Sequence, residues 1–571
     1  MVPRWLRAVI PIVLIAVWFV VAGVGGPYFG RVEEVSSNDQ SSFLPASAES
    51  TQVQDRLEGF RDDDVIPAIV VFDREGGLTD DDLDFGTDIA ESIGDFDGVA
   101  DGASPAIPSD DGEALEVIAP LTTEGAGDTV AALRDYLEEQ TPDGLVFAVT
   151  GPAGFTADLT AAFAGIDGIL LLTALAAVLL ILLVVYRSPL LPLLVLGTSV
   201  FALTGSILLV WWLAKAGLVA LNGQVQGILF ILVIGAATDY SLLYVSRYRE
   251  ALRDVASRWE ATTVALRGSL EPILASGGTV IVGLLCLLLS DLNSNKALGP
   301  VSAIGVAMSV LATLTLLPSL LYVFGRASFW PLRPTVGSTH TEAKTTGLWD
   351  SVSRLVSRHS RVVWIASTVL LLAGCLGVTQ LRADGVPQSD LILGESQARD
   401  GQVTLGEHFP GGSGSPAVII GPASEIDELA DAAAALDGVD SVEALSADSP
   451  SGTVGVGSAA ADPIAAAPAG PEAPADPTAP ADPSAPPVLA GEPTVVDGEV
   501  ALQATLTDAA DSAEAEATIL ELREAVSDVD PGALVGGVTA IAVDTDVTSI
   551  QDRNRIIPLV LGVILIILML L

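Results

Sequence analysis

The chain has 571 residues, half of them hydrophobic, and a formal net charge of −45. Its mean hydropathy of +0.55 lies far above that of an ordinary soluble domain, which excludes a purely aqueous fold. A membrane protein is expected, and the acidic balance argues against nucleic acid as a partner.

The first apolar run, about residues 8–25, follows Arg4 and Arg7 and ends in small residues. A cleaved secretory signal has that order too, but this run is long for a signal core, so residues 1–26 are expected to hold an uncleaved first span. Residues 27–167 read as an α/β domain. AIVVF (68–72), EALEVIAPL (114–122) and LVFAV (145–149) suggest strands, LTDDDLDFGTDIAESI and DTVAALRDYLEE helices, and Val99 an extra short strand. The resulting order, βαββαβ, is ferredoxin-like, with one face of a sheet buried under two helices.

Five further runs, at about 168–186, 190–213, 226–246, 270–290 and 297–324, have the roughly 20 residues needed to cross the hydrocarbon and place spans two to six within 168–325. A loop at 326–361 precedes the seventh span, 362–381. Residues 382–554 then repeat the first α/β plan with AVII, EIDELADAAAALDG, SVEAL, EVALQATL, AEAEATILELREAV and ALVGG. An Ala/Pro/Asp tract at 460–493 has too few large apolar groups to pack and is expected to be a disordered insertion. The eighth span starts within 555–571, at Ile556.

The repeat is also visible in single residues. Gly151 and Asp158 ahead of the second span match Gly537 and Asp544 ahead of the eighth at a constant offset, and Arg4 and Arg7 resemble Arg358 and Arg361. The expected fold is thus a polytopic α-helical membrane protein with two α/β domains inserted in a duplicated plan.

Sorting the charges by loop gives an orientation. The N-terminus and the loops after spans two, four and six carry fourteen bases against six acids, whereas the other side carries a net charge of −52. Positive-inside counting places the N-terminus in the cytoplasm and both long loops outside. Cys286 and Cys375 fall within apolar spans, which gives no disulfide framework, and His340, His359 and His408 lack metal-ligand spacing. No metal or cofactor is expected. The absence of a GxxxxGK[ST] loop argues against ATP hydrolysis, and no enzymatic activity is expected.

The fourth span contains GAATDYSLLYVSRYRE, residues 235–250. A charged side chain near the middle of a spanning helix costs at least about 2.5–3.5 kcal/mol, so Asp239 needs a partner or a job. One turn back, Gly235 and Ala236 leave room for a helix, a partner or water. Burial would raise the pKa of Asp239 and suit it to carry a proton, with Tyr240 in hydrogen-bonding support. The blander readings are a polar pair within a bundle for Asp239 and an interfacial anchor for Tyr240. Arg247, Tyr248 and Arg249 are sufficiently explained as a cytoplasmic stop. Ser276 and Thr279 in the fifth span are weaker candidates for the same path. Gly299, Ser302, Gly305 and Ser309 give the sixth span a small-residue face of the kind helix packing alone produces.

These residues resemble a known family. GAATDYSLLYVSRYRE, EPILASGGTVIVGLLCLLLSDL (271–292) and ALGPVSAIGVAMSVLATLTLLPSLL (297–321) are similar to the fourth, fifth and sixth spans of MMPL transporters of the resistance-nodulation-division superfamily. The resemblance implies a bacterial inner-membrane protein with twelve spans and two external porter domains, exporting lipids or other hydrophobic compounds at the expense of the proton-motive force. It also implies a proton-carrying Asp-Tyr pair, matched here by Asp239 and Tyr240, that faces a polar site in a tenth span. Against that plan the sequence reads as C-terminally truncated or as a fragment. Two alternatives accompany the exporter: a non-transporting membrane scaffold that binds lipid, and a protein-translocation accessory of the same superfamily. Substrate identity stays open, as does the choice between a monomer and a homo-oligomer.

Overall fold

The computed structural model describes residues 3–36, 43–60, 65–100, 102–123, 125–337, 348–377, 396–446, 449, 452–457 and 492–571. The expected insertion at 460–493 lies outside the described residues up to position 491. The chain divides into two compact units, one of residues 1–37, 167–384 and 549–571, the other of residues 38–166 and 385–548.

The first unit is helical. Among the described residues six helices are long and apolar enough to cross a membrane: Trp5–Arg31, Leu190–Lys215, Gly223–Asp254, Arg258–Leu289, Asn293–Phe329 and Val538–Leu570. The helix Gly151–Tyr186 adds a shorter apolar stretch, Leu171–Tyr186. Segments of this composition become helices because hydrocarbon offers the backbone no other hydrogen-bond partner. Their hydroxyls obey the same constraint. Thr198, Ser206, Ser309 and Ser319 donate to the carbonyls four residues back, at 2.7–2.9 Å. Trp18 in the first helix donates its indole N–H to Thr315 Oγ1 at 2.9 Å, which fixes that helix against the Asn293–Phe324 helix.

The segment expected to be a loop at 326–361 contains a helix, Leu348–Arg358, and the next helix, Ser360–Cys375, departs from it at 98°. Its pattern LWDSVSRLVSR alternates apolar and polar groups at helical spacing, so it is amphipathic and does not merge with the apolar run that follows.

The second unit contains two antiparallel sheets. The first holds β1 (Val65–Asp73), β2 (Ile107–Pro108), β3 (Ala114–Thr122) and β4 (Val146–Thr150) in the order β2-β3-β1-β4. Ala68, Val70, Phe72, Leu115, Val117 and Leu121 face the helices Asp80–Gly94 and Ala126–Gln140 and close a core with Ile93, Val130, Leu133 and Leu137. Val99 forms only a single bridge to Leu121, and the additional strand is β2. Gly98 and Gly102, at φ +96° and +84°, turn the chain on both sides of Val99 and leave no room for a ladder.

The second sheet holds β5 (Ala417–Pro422), β6 (Val439–Leu445), β7 (Thr453–Gly455), β8 (Val495–Val496), β9 (Glu499–Leu506) and β10 (Leu534–Gly536). Its path is β10-β5-β9-β6-β7, with β8 paired to β9, and the helices Ile426–Ala434 and Ala513–Val529 cover one face. β4-β1-β3-β2 and β10-β5-β9-β6 are therefore the same order. Each last strand turns sharply into a long helix at Gly151 (φ +74°) or Gly537 (φ +103°). A Cβ at Gly151 would lie 2.9 Å from Ile69, and one at Gly537 would lie 2.7 Å from the Pro416 carbonyl. The repeated glycine is thus a geometric requirement of the corner.

The remaining face of each sheet is covered by a helix from the other half of the sequence. Gln397–His408 packs on β4 and β1, with Gly401 against Ala148 and Thr150. Glu49–Leu57 packs on β10 and β5, where Val53 joins Val418 and Ile420.

Glu116 lies in the covered face of the first sheet. It pairs in register with Val71, which pairs on its other side with Ala148. Glu116 is 5% exposed, and its Oε2 has no hydrogen-bond partner among the described residues. Burial raises its pKa to about 7. The folded pKa lies above the unfolded one, so stability is full at pH 4.5 or below and falls as the pH rises through 7. Glu116→Gln is expected to raise stability at pH 8, by about 3 kcal/mol at most, and with it the unfolding midpoint, while leaving both unchanged at pH 4. Thermal melts at the two pH values read the difference.

Candidate functional site

The site is built on the helix Gly223–Asp254, whose first turn is capped by Asn222 accepting from the Val225 N–H at 2.7 Å. Helical periodicity divides its residues between two faces. Val233, Ala237, Tyr240, Tyr244, Val245 and Tyr248 are buried. Leu232, Gly235, Ala236, Asp239, Leu242, Leu243 and Ser246 line a cavity of about 1180 Å³ shared with Val185, Tyr186, Ser276 and Val280.

Asp239 projects from the cavity wall and is exposed there. Its row, spaced by three and four residues, is the one that lines the cavity. Among the described residues it forms no ion pair. Tyr240 is 5% exposed yet reaches the same cavity, whose wall Ser276 shares. Gly277 permits that approach, since a Cβ there would lie 3.5 Å from the Tyr240 hydroxyl and 2.7 Å from Val310.

The structure thus brings Gly235, Ala236, Asp239, Tyr240 and Ser276 together. Thr279 stands apart, its hydroxyl returned to the Ala275 carbonyl at 2.8 Å. A Cβ at Gly235 would meet nothing within 4 Å among the described residues, so this glycine opens space instead of packing. Gly299 and Gly305 are contact points: a Cβ at Gly299 would lie 2.8 Å from the Leu284 carbonyl, and one at Gly305 would lie 2.7 Å from both Leu229 and Val233. Ser302 is buried between helices, and Ser309 also donates to the Val233 carbonyl at 3.2 Å.

Two features of the site escaped sequence reasoning. Tyr186, Arg249, Glu250 and Arg253 line the cavity with Asp239. Tyr244 stacks on Tyr248 at 6.1 Å, and Tyr248 donates to the Leu321 carbonyl at 3.0 Å, so Tyr248 is a buried structural residue rather than part of a basic stop signal. The spacing Tyr240, Tyr244, Tyr248 was the available signal.

This arrangement supplies a carboxyl and a phenol to a cavity with mainly apolar walls. It suits proton exchange. Among the described residues no group of His, Cys, Asp and Glu has metal-binding geometry.

A model of the MMPL family matches residues 42–363. The Streptomyces coelicolor membrane protein SCO0839 is 44% identical over 569 residues, covering 98% of this chain and 75% of that protein. This chain belongs to the MMPL family. Two more distant MMPL relatives have names that state a cargo. The apo-petrobactin exporter of Bacillus anthracis is 29% identical over 48% of this chain and 39% of its own length. The sulfolipid-1 exporter MmpL8 of Mycobacterium tuberculosis is 28% identical over 72% of this chain and 38% of its own length. The MMPL chain described here is accordingly a multi-pass membrane protein of a transporter family.

The close approach at Gly299 gives a test of the bundle. Gly299→Ala forces a methyl group against a backbone carbonyl and is expected to destabilise the helical unit by about 1–3 kcal/mol. A lowered melting temperature in detergent, with Gly235→Ala unaffected, is the expected result.

Proposed function

We propose that this chain acts in proton-driven export of lipids or other hydrophobic compounds across a bacterial inner membrane, with Asp239 as the proton carrier and Tyr240 and Ser276 in support. The single observation that carries the reading is the placement of Asp239, Tyr240 and Ser276 on one mainly apolar cavity. An accessible carboxyl can load and unload protons, and a wall of Val185, Ile231, Leu232 and Val280 limits leakage of water and ions. One charge crossing about 100 mV yields roughly 2.3 kcal/mol, to which a pH gradient adds.

In this reading residues 27–167 and 382–554 are external porter domains of ferredoxin-like topology, which their shared βαββαβ element order supports. The helical segments within 1–26, 168–325, 362–381 and 555–571 are membrane spans, with the N-terminus cytoplasmic by the charge bias of the loops. The cargo classes named for the two exporters, a siderophore and a sulfolipid, support an amphipathic substrate for this chain.

Asp239→Asn keeps the size and polarity of the side chain but removes its proton chemistry. Gradient-driven accumulation of a fluorescent lipid analogue in everted vesicles is expected to fall at least about tenfold, with Asp239→Glu retaining part of it. Undiminished gradient-driven export by Asp239→Asn would sink the relay.

A further inference from the structure

The two crossover helices are held by matching hydrogen-bond networks. Asp158, on the helix Gly151–Tyr186, receives the guanidinium of Arg134 on one oxygen. Its other oxygen accepts from Ser396 Oγ at 2.7 Å and from the Ala398 N–H at 3.0 Å, at the start of Gln397–His408. Arg134 also donates to the Val149 carbonyl at 3.0 Å.

The second network repeats the arginine, the strand carbonyl and the helix-start N–H of the first. Asp544, on the helix Val538–Leu570, pairs with Arg523 at 2.7 and 3.1 Å. It accepts from the Ser50 N–H at 2.9 Å, at the start of Glu49–Leu57. Arg523 donates to the Val535 carbonyl at 3.2 Å. Glu49 adds a contact to Arg523 at 3.1 Å and accepts the Val535 N–H at 2.7 Å.

Ala398 and Ser50 occupy the same position, second in their helices, where the N–H has no partner within the helix. A carboxylate placed there satisfies that donor and meets the positive end of the helix. Desolvation pushes both carboxyls up, and the hydrogen bonds from arginine and backbone, joined at Asp158 by the Ser396 hydroxyl, outweigh it, so both stay below the ordinary range and charged. Neither is a loose surface pair: the Asp158 and Asp544 side chains are 10% and 11% exposed.

Each aspartate stands on a helix whose later residues form an apolar, membrane-type segment, Leu171–Tyr186 for one and the end of Val538–Leu570 for the other. Each holds a helix that belongs to the opposite repeat. We propose that Asp158 and Asp544 are positioning residues that couple the halves crosswise: the second-span helix drives Gln397–His408 on the first sheet, and the eighth-span helix drives Glu49–Leu57 on the second. This rests on the transport reading above. A carboxylate bonded to a guanidinium on its own side and to a helix start on the other is a short, stiff connection. Displacing the aspartate must move the crossover helix or break charge-assisted bonds.

The test uses the full chain in proteoliposomes, with hydrogen exchange followed by mass spectrometry with and without an imposed proton gradient. In the wild type both crossover helices are expected to change exchange rate with the gradient. In Asp158→Asn the change at 397–408 is expected to fall at least fivefold while that at 49–57 persists, and Asp544→Asn is expected to give the reverse. Export drops with either. Loss at both helices in each single variant, or at neither, overturns crosswise coupling, as does undiminished export once the response is lost. Where Asp158→Asn does not reach the membrane, Ser396→Ala is read instead. It leaves the Arg134 pair intact and is expected to at least halve the response at 397–408; an unchanged response there overturns the proposal. Asp239→Asn separates the two readings. If it leaves the gradient response intact at both helices the relay fails, and the Asp158 and Asp544 variants still report on coupling.

Discussion

Hydrocarbon gives an exposed polar group nothing to bond with, and most of the helical unit follows from that one fact. It makes the apolar segments helical, turns their serine and threonine hydroxyls back onto their own carbonyls, and puts glycine where two helices need to approach closely. Gly299 and Gly305 show the last effect, each occupying a space that a methyl group would overfill. Asp239 is the exception that the constraint makes informative. Its helix presents it, with Gly235 and Ala236, to open space, while the opposite face is closed by stacked tyrosines.

The α/β unit is governed by a different requirement, that both faces of each sheet be covered. Two helices from the same repeat cover one face and a helix from the other repeat covers the second. The burial of Glu116 follows from this arrangement, because the face that carries it would otherwise be open to water.

Much of this was legible in the chain. The apolar run AIVVF and the alternation in EVALQATL marked strands, and the offset between Gly151–Asp158 and Gly537–Asp544 exposed the duplication. Asp239 announced itself as a charge in an apolar run. The crossover helices did not, because QARDGQVTLGEH and ESTQVQDRL have weak apolar stripes and acquire their meaning only from the sheets they cover. Asp158 and Asp544 were visible as repeated residues, but nothing local showed what they hold: Asp158 and Ser396 are 238 positions apart. The helix Leu348–Arg358 was hidden for another reason, since its basic residues read equally well as loop charge. The accessibility of Asp239 depended on which helices surround the Gly223–Asp254 helix, information that a single helix does not carry.

The exchange of helices also bears on how such a chain arises. A helix traded between two halves of a tandem repeat has the geometry of one traded between two subunits of a symmetric dimer. Either half made separately would leave a sheet face bare, and a second copy of the same half could cover it through the same contact. Gene fusion would then convert an intermolecular exchange into an intramolecular one. In one chain the two halves are free to diverge, while Arg134 with Asp158 and Arg523 with Asp544 keep corresponding pairs in both.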